Sequence, residues 1–236
     1  MDPFAGVAAL TGVGAAAAHA RDAVDALLSH PAMRRDAARL AAESALRGAR
    51  ASASLAGGDV DDVDDPILQG ALRATAEVAA LAGVWDRSPG QVLARLHVLA
   101  ARDLAELSTL GRPRPGTDGV RLDQLMRLAA GSSSAPAVVV AAVVHAELMA
   151  LEPFGVADGV VARAAERVVL VARGVDTRAV SIPEAGHLEL VRAYEPLALA
   201  YASGTADGVA AWVRHCCEAY ARGVDVALAH ASGAPG

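Results

Sequence analysis

Hydrophobic residues recur every three or four positions along most of the chain, which is the spacing of one face of an α-helix. Residues 15–29 and 33–51 show it clearly, with Ala, Leu and Val set against Arg and Asp. This period, together with breaks at Gly, Pro and Ser, predicts nine helices. They cover residues 15–29, 33–51, 66–82, 89–108, 120–130, 137–151, 159–173, 184–202 and 206–230.

Two valine runs, 138–140 and 168–171, have strand propensity. Each lies within a segment of about fifteen residues that also carries Ala, Leu and charged residues, and that length favours helix over strand. Residues 137–151 are apolar on nearly every side, which is typical of a helix at the centre of a bundle. The chain has no internal repeat and no long linker, so the sequence predicts one all-α domain around a buried helix pair, 137–151 and 159–173.

Several helix ends carry the residues that usually mark them. Asp65 and Ser88 each precede a proline, as an N-cap precedes a proline in the first helical turn. Asp158 is the predicted N-cap of helix 159–173, and Gly174 is its predicted stop. Gly83 is predicted to end helix 66–82.

Composition narrows the class of protein. Hydrophobic residues make up 54% of the chain and aromatic residues only 3%, which indicates closely packed helices with a core of Ala, Val and Leu. The formal net charge is -6 and the pI is near 5.6, which argues against nucleic-acid binding. All 21 basic residues are arginine, and the chain contains no lysine or asparagine, a bias expected from GC-rich codons.

Neither the N-terminal segment nor the cysteines suggest an exported protein. The first ten residues, MDPFAGVAAL, lack the positive charge of a secretory signal. The longest apolar segment, 135–151, contains Glu147 and is shorter than the roughly 20 residues of a membrane span. Cys216 and Cys217 are adjacent, which fits neither a disulfide framework nor metal-ligand spacing, so no metal site is predicted. We expect a cytoplasmic protein without membrane contact.

The stretch LEPFGVADGVVAR, residues 151–163, joins the two central helices through a short loop with glycine. The free backbone N–H groups at the start of the second helix could hold an anion without special side chains. The alternative is a tight turn between helices that binds no ligand. Spacing alone leaves both interpretations open.

This stretch resembles the Fic (Fido) family, whose signature is His-Pro-Phe-x-Asp/Glu-Gly-Asn-Gly-Arg-x-x-Arg. Here the same positions are EPFGVADGVVAR, residues 152–163, and four letters match: Pro153, Phe154, Gly159 and Arg163. The resemblance covers residues 40–225, with residues 1–39 as N-terminal helices and 226–236 as a C-terminal tail.

Members of this family characteristically transfer AMP from ATP to a protein hydroxyl, so the resemblance implies a nucleotide pocket at the loop. The implied nucleotide-binding residues are Pro153, Phe154, Gly155, Asp158, Gly159 and Arg163. The departures remove the chemistry. Glu152 stands where the family has its catalytic histidine, and an ordinary carboxylate is a weak base at neutral pH.

Two further departures concern the phosphates. Val156 replaces the acidic magnesium ligand and offers no oxygen, so magnesium is not expected. Val160 replaces the first signature arginine, which holds the phosphates. Because the chain contains seven histidines and 21 arginines, its coding bias explains neither the loss of histidine at 152 nor the loss of arginine at 160.

Two other segments resemble family features. SASLAG, residues 52–57, is similar to the inhibitory motif Ser-x-x-x-Glu-Gly, with Ser52 and Gly57 matching and Ala56 in place of the glutamate that pairs with the second signature arginine. GRPR, residues 111–114, is similar to the Gly-x-x-Arg of the substrate-docking flap. The implied regulatory residues are Ser52, Ala56 and Gly57, and the implied flap residues are Gly111, Arg112 and Arg114.

His145 lies two helical turns before Glu152 on nearly the same face and is a candidate replacement base. We expect it to be a hydrogen-bonded core histidine instead. His215, beside the two cysteines, does not suggest a metal site, because ligands at adjacent helix positions do not converge.

Three hypotheses of function follow. The first is a Fic-like pseudoenzyme without AMP transfer, which keeps a pocket for a nucleotide such as ATP or another anion, or binds a protein partner, in a regulatory role. The second is a divergent enzyme of AMPylation type that uses Glu152 and Arg163. The third is a structural helical module. No obligatory cofactor is expected, and the sequence does not indicate an oligomeric state.

Overall fold

The structure, a computed structural model, describes residues 2–232, a range that contains helices and no strand. The prediction of an all-α fold is therefore confirmed. The helices are α1 (Pro3–Ala8), α2 (Val13–Ser29), α3 (Ala32–Arg35), α4 (Ala37–Leu55), α5 (Pro66–Ala76), α6 (Val78–Ala82), α7 (Pro89–Ala101), α8 (Gly119–Ala130), α9 (Ala137–Leu151), α10 (Asp158–Ala172), α11 (Pro183–Glu189), α12 (Val191–Ala202) and α13 (Ala206–Ala231).

The predicted number of nine helices is wrong, since residues 2–232 contain thirteen. The predicted helix 66–82 is divided at Glu77, and the predicted helix 184–202 is divided at Leu190. At each break a single residue leaves ideal helical geometry, with backbone angles of -91° and -5° at Glu77 and of -96° and 18° at Leu190. Such a small change leaves the hydrophobic period intact, so the pattern does not reveal it.

The predicted helix 89–108 ends early, at Ala101. Leu107 would have continued its apolar face, but 81% of Leu107 is exposed. No core lies beside it in residues 2–232, so the packing that stabilises most helices in proteins is missing there.

Of the two N-caps predicted in front of a proline, one is confirmed and the other is wrong. Asp65 caps α5 as predicted, with its side chain accepting a hydrogen bond from the Leu68 N–H at 2.8 Å. Ser88 does not cap α7, because its side chain makes no cap hydrogen bond there. Pro89 nevertheless opens that helix, since its fixed φ suits the first turn and its missing N–H needs no partner.

Helix α9 lies at the centre of the fold, as its apolar sequence predicts. Eleven of its fifteen residues are buried, and it packs against helices on several sides, among them α10, α12, α13 and α2. Both valine runs are helical, which confirms the interpretation from segment length. The buried pair α9 and α10 therefore forms the scaffold from which the loop at 152–157 starts.

Helices α11 and α13 approach each other backbone to backbone. A Cβ atom at Gly186 would lie 1.8 Å from the carbonyl oxygen of Ala219, and one at Gly223 would lie 2.1 Å from that of Ile182. Only glycine fits at such a separation. This close approach brings the side chains of α11 and α13 together in the core beside α9.

The predicted division at residues 39, 40, 225 and 226 has no counterpart in a helix boundary. Helix α4 begins at Ala37, and α13 runs without a break to Ala231. Residues 233–236 of the predicted tail lie outside the described residues. Within residues 2–232, no helix combines the length and the apolar character needed to cross a membrane.

Candidate functional site

The loop at 152–157 joins the end of α9 to the start of α10, as the sequence predicts. Three of its residues have positive φ, namely Glu152 at 40°, Gly155 at 76° and Ala157 at 58°. These left-handed turns reverse the chain within six residues, so the polypeptide leaves the centre of the bundle and returns to it at once. The loop thus holds its backbone close to buried parts of both helices.

Glu152, at the position of the family's catalytic histidine, faces solvent. Its side chain is 64% exposed, and its carboxylate pairs with the guanidinium of Arg114 at 3.6 Å. The Arg114 Nε–H also donates to the Glu152 carbonyl oxygen at 2.8 Å. The side chain predicted to be catalytic is therefore held in a surface ion pair.

The segment predicted to be the flap lies against the loop. The Arg114 backbone N–H donates to the Pro153 carbonyl oxygen at 2.7 Å, and the Thr117 hydroxyl donates to the same oxygen at 3.1 Å. A Cβ at Gly155 would lie 2.9 Å from the Cδ of Arg114, so glycine is required for this approach. Arg114 and Thr117 thus hold this segment against the loop, while Arg112 is exposed.

Phe154 is buried and stacks on the His97 ring, with centroids 4.1 Å apart and planes within 10°. His97 in turn accepts a hydrogen bond at Nδ1 from the N–H of Gly111, the first residue of the flap motif. Burial lowers the pKa of His97, so the ring is neutral. Phe154 and Pro153 are both buried and anchor the loop, so neither of these two side chains is free to contact a ligand.

Asp158 does not cap α10, contrary to the prediction. It is the first helical residue, and the cap position belongs to Ala157. The Asp158 carboxylate turns back into the loop and accepts a hydrogen bond from the Phe154 N–H at 2.9 Å. Burial raises the pKa of Asp158 to about 6, against the hydrogen bonds from the loop N–H groups, which lower it. The carboxylate thus accepts a hydrogen bond from a loop N–H group that would otherwise be free to bind an anion.

Arg163, the last signature residue, is only 2% exposed and is fully engaged in the core. Its Nε–H donates to the Ser52 hydroxyl at 2.9 Å and one Nη2–H donates to the Ser52 carbonyl oxygen at 2.8 Å. Its Nη1 donates to the Tyr194 hydroxyl at 3.1 Å. Gly159, one turn earlier, leaves the room that this guanidinium needs, because a Cβ there would lie 3.2 Å from Nη1.

The predicted regulatory segment therefore does contact Arg163, but through a different residue. Ser52, near the end of α4, provides both the hydroxyl and the carbonyl oxygen. Ala56, where the family has its inhibitory glutamate, is the C-cap of α4 and lines a pocket. Gly57 follows with φ of 79°, the left-handed conformation typical of a helix end.

A pocket of 340 Å³ lies beside the loop, between the ends of several helices. Its lining is largely aliphatic, and Arg163 is its one cationic residue among those described, next to the acidic Asp158 and Glu195. The lining residues are Leu55, Ala56, Ile67, Ala100, Leu104, Met149, Val156, Ala157, Asp158, Gly159, Val160, Arg163, Tyr194 and Glu195.

Magnesium, which the family uses, does not fit this site. Val156 offers no oxygen atom, and one carboxylate oxygen of Asp158, Oδ1, is already bonded within the loop. Val160, at the position of the phosphate-holding arginine, is buried. Hard cations such as magnesium need oxygen ligands, so the described residues build no such site here.

Below the loop, a chain of hydrogen-bonded, buried polar side chains connects α9, α10, α11 and α12. Its members are His145, Glu166, His187 and Tyr194. Of these four, only His145 stood out in the sequence. His145 is hydrogen-bonded at both nitrogens, to Glu166 at 2.9 Å and to Tyr194 at 2.7 Å, and burial lowers its pKa to about 4. The expectation of a hydrogen-bonded core histidine is confirmed.

The sequence offers little signal for the other members of this chain. Glu166 and His187 belong to α10 and α11, and each reads as an ordinary polar position of a helix. Tyr194 belongs to α12, and nothing in its spacing points to Arg163. Only their burial in an otherwise aliphatic core singles them out.

Comparison with known proteins supports the fold. No family model matches the chain, and no curated protein matches it. Among solved structures, the chain is similar to the crystal structure of a Fic family protein from Desulfovibrio desulfuricans G20, with a TM-score of 0.72. The similarity covers 94% of this chain and 75% of that chain, at 16% sequence identity. At this identity the likeness establishes the fold, which is that of the Fic family structure.

Proposed function

We propose that this Fic-fold chain is a pseudoenzyme that acts by binding and does not transfer AMP. One observation supports this most directly. Two groups at the loop that could meet a nucleotide phosphate are bonded within the protein itself, Arg163 to Ser52 and Tyr194, and the Phe154 N–H to the Asp158 carboxylate. A phosphate would have to displace these partners and then lie beside a carboxylate.

The proposal also takes account of the missing base. Glu152 faces solvent in its pair with Arg114, and His145 is buried with both nitrogens bonded. A general base must come within hydrogen-bond reach of the proton that it removes. Neither side chain meets that requirement at the pocket, so the hypothesis of an enzyme that uses Glu152 and Arg163 finds no support in the geometry.

We further propose that the pocket takes an uncharged, largely apolar group, presented by a protein partner. Its 340 Å³ are within the usual range for ligand sites, and its walls are mostly aliphatic. The carboxylates of Asp158 and Glu195 disfavour an anionic ligand, since like charges repel in a partly desolvated site. Val156, 36% exposed at the pocket, offers an apolar contact to a partner. Such binding is consistent with a regulatory role.

Two probes with the same six-carbon chain, one uncharged and one anionic, test which ligands the pocket accepts. Met149 lines the pocket, whereas Met33 lies in the core near α3, so methyl-labelled methionine gives one reporter and one internal control. Titration with hexanol is expected to shift the NMR signal of the Met149 methyl group and leave that of Met33 unchanged. Hexyl phosphate is expected to shift neither. Tighter binding of hexyl phosphate at Met149 would contradict the proposal.

A substitution tests the absence of AMP transfer. Glu152→His restores the family's base alone, and Val156 and Val160 still provide neither a magnesium ligand nor a phosphate contact. We therefore expect no transfer of labelled AMP from ATP to protein, either by the unaltered chain or by this variant. Label transfer by the single variant would overturn the proposal, because one residue would then be enough to restore the chemistry.

A further inference from the structure

Four potential metal ligands from four different helices converge in the core, below the loop and apart from the pocket. They are His145 on α9, Glu166 on α10, His187 on α11 and Cys216 on α13, and all four are buried. One donor atom from each lies within 4.8 Å of the other three. We propose that these side chains form a structural zinc site.

The number and type of donors suit zinc. Structural zinc sites are almost always four-coordinate and use His nitrogen, Cys sulfur and carboxylate oxygen. His145 Nδ1 and His187 Nε2 both point at the same oxygen of Glu166, at 2.9 Å and 3.2 Å. Tetrahedral coordination at zinc bond lengths separates such donors by about 3.3–3.6 Å, so these two pairs need to move apart by only a few tenths of an ångström. Any of the four donor atoms that lie as far as 4.8 Å apart would move closer as the metal binds.

Each histidine also has the outer partner that a zinc ligand usually has. The second nitrogen of His145 lies 2.7 Å from the Tyr194 hydroxyl, and the second nitrogen of His187 lies 3.2 Å from Nε2 of His215. Metal-bound imidazoles characteristically donate their other N–H to such a group, which fixes the ring orientation. Both rings are therefore already aligned with one nitrogen toward the centre.

Charge and burial favour a divalent cation at this point. Zinc with the Glu166 carboxylate and the Cys216 thiolate is neutral overall, which suits a site from which water is excluded. Without a cation, burial raises the pKa of the Cys216 thiol well above its usual range. The thiolate that zinc requires would form as the metal binds, with release of the proton.

A hydrogen-bonded network without metal accounts for part of this arrangement. It explains why Glu166 contacts both histidines and why His145 contacts Tyr194. It does not explain Cys216, which is buried among these donors and makes no hydrogen bond to any described residue. Because all four positions belong to protein ligands, the site has no open position for a substrate and would serve to tie α9, α10, α11 and α13 together.

Metal content and cobalt spectroscopy test the proposal on the full chain. Protein purified without a metal-affinity step is expected to contain about one zinc ion per molecule by mass spectrometry. After removal of zinc, addition of cobalt(II) is expected to produce the intense visible bands of four-coordinate cobalt and a near-ultraviolet thiolate-to-cobalt charge-transfer band.

The neighbouring cysteines provide a matched pair of variants. Cys216→Ser is expected to abolish the charge-transfer band and weaken zinc binding at least 10-fold, on the order of other losses at metal sites. Cys217→Ser, at an equally buried position outside the cluster, is expected to keep both. If Cys216→Ser does not fold, the zinc content and cobalt spectrum of the unaltered chain decide.

The proposal is overturned if the folded, unaltered chain takes up no stoichiometric zinc when zinc is supplied. It is equally overturned if cobalt gives no thiolate band, or if Cys217→Ser removes that band and Cys216→Ser does not. The outcome is independent of the pseudoenzyme proposal, because neither probe involves a nucleotide or the pocket beside the loop.

Discussion

The loop between the two central helices has a solvent side and a core side. The two sides differ in how well their residues match the family signature. Three of the four matching letters, Pro153, Phe154 and Arg163, are buried. Glu152 and Val156, which depart from the signature at the base and the metal ligand, are exposed. The matching residues thus pack and hydrogen-bond within the fold. A shared letter here reports a structural role. The departures at the base and the metal ligand lie on the exposed side, and the departure at the phosphate-holding arginine, Val160, lies on the core side.

The largest contrast between the two sides is expected for two arginines. Arg163→Ala leaves Ser52 and Tyr194 without their donor and opens a cavity in the core, which is expected to cost about 2–5 kcal/mol of unfolding free energy. Arg114→Ala removes a half-exposed surface pair, which is expected to cost at most about 1 kcal/mol. Urea denaturation of both variants measures the difference. Equal losses would mean that the core side of the loop is not the structural one.

Asp158 tests the cost of placing a carboxylate in the loop. Burial raises the pKa of Asp158 from its ordinary value of 3.8 to about 6 in the folded chain, so the folded state binds more protons between these values. Stability from this group is therefore present below pH 4 and is lost as pH rises toward 6 and beyond. Asp158→Asn keeps an oxygen for the Phe154 N–H and removes the charge.

We expect Asp158→Asn to be more stable than the unaltered chain at pH 7 by on the order of 1 kcal/mol, allowing for solvent around this partly exposed side chain. Because other groups titrate alike in both proteins, the difference isolates Asp158. It is expected to shrink as the pH is lowered from 7 to 4 in parallel denaturation curves. A gain that is larger at pH 4 than at pH 7 would show that the assigned shift has the wrong sign.

The smallest effect concerns Ala157, which has φ of 58° at a position where the family has glycine. The left-handed conformation costs a residue with a side chain roughly 1–2 kcal/mol, and the flexibility of glycine in the unfolded chain offsets part of this. Ala157→Gly is expected to stabilise by less than about 1 kcal/mol.

The matched control for this variant is Ala42→Gly, at an exposed position inside α4. It is expected to destabilise by roughly 0.5–1 kcal/mol, as glycine does in a helix interior. The two substitutions are chemically identical, so thermal unfolding of both variants compares backbone conformation alone. A loss of stability in both would show that the loop is not strained at Ala157.

Much of the fold could be predicted because it follows from local patterns. The all-apolar sequence of α9 identifies a central helix, and Asp65 before Pro66 identifies the start of α5. The breaks at Glu77 and Leu190 could not be predicted, since each changes the backbone at one residue and leaves the hydrophobic period unchanged. The early end of α7 was missed for another reason: the pattern shows that Leu107 is apolar and does not show that nothing packs against it.

The candidate site was predictable in its position along the chain and not in its contacts. The sequence placed the loop between two buried helices, because order along the chain carries that information. It did not show that Arg114 packs against this loop. It could not show that Asp158 turns back to Phe154, or that Ser52 holds Arg163 from 111 residues away. The convergence of His145, Glu166, His187 and Cys216 depends on the relative rotation of four helices, which no single helix encodes.

We infer that the chain keeps the Fic fold while its loop lacks the nucleotide chemistry. Calorimetric titration of the unaltered chain with ATP, in the presence and absence of magnesium, tests this inference. We predict no saturable heat in either case up to millimolar ATP, because Arg163 and the Phe154 N–H are already bonded and no magnesium ligand is present at 156. Saturable binding of ATP that requires magnesium would contradict the account.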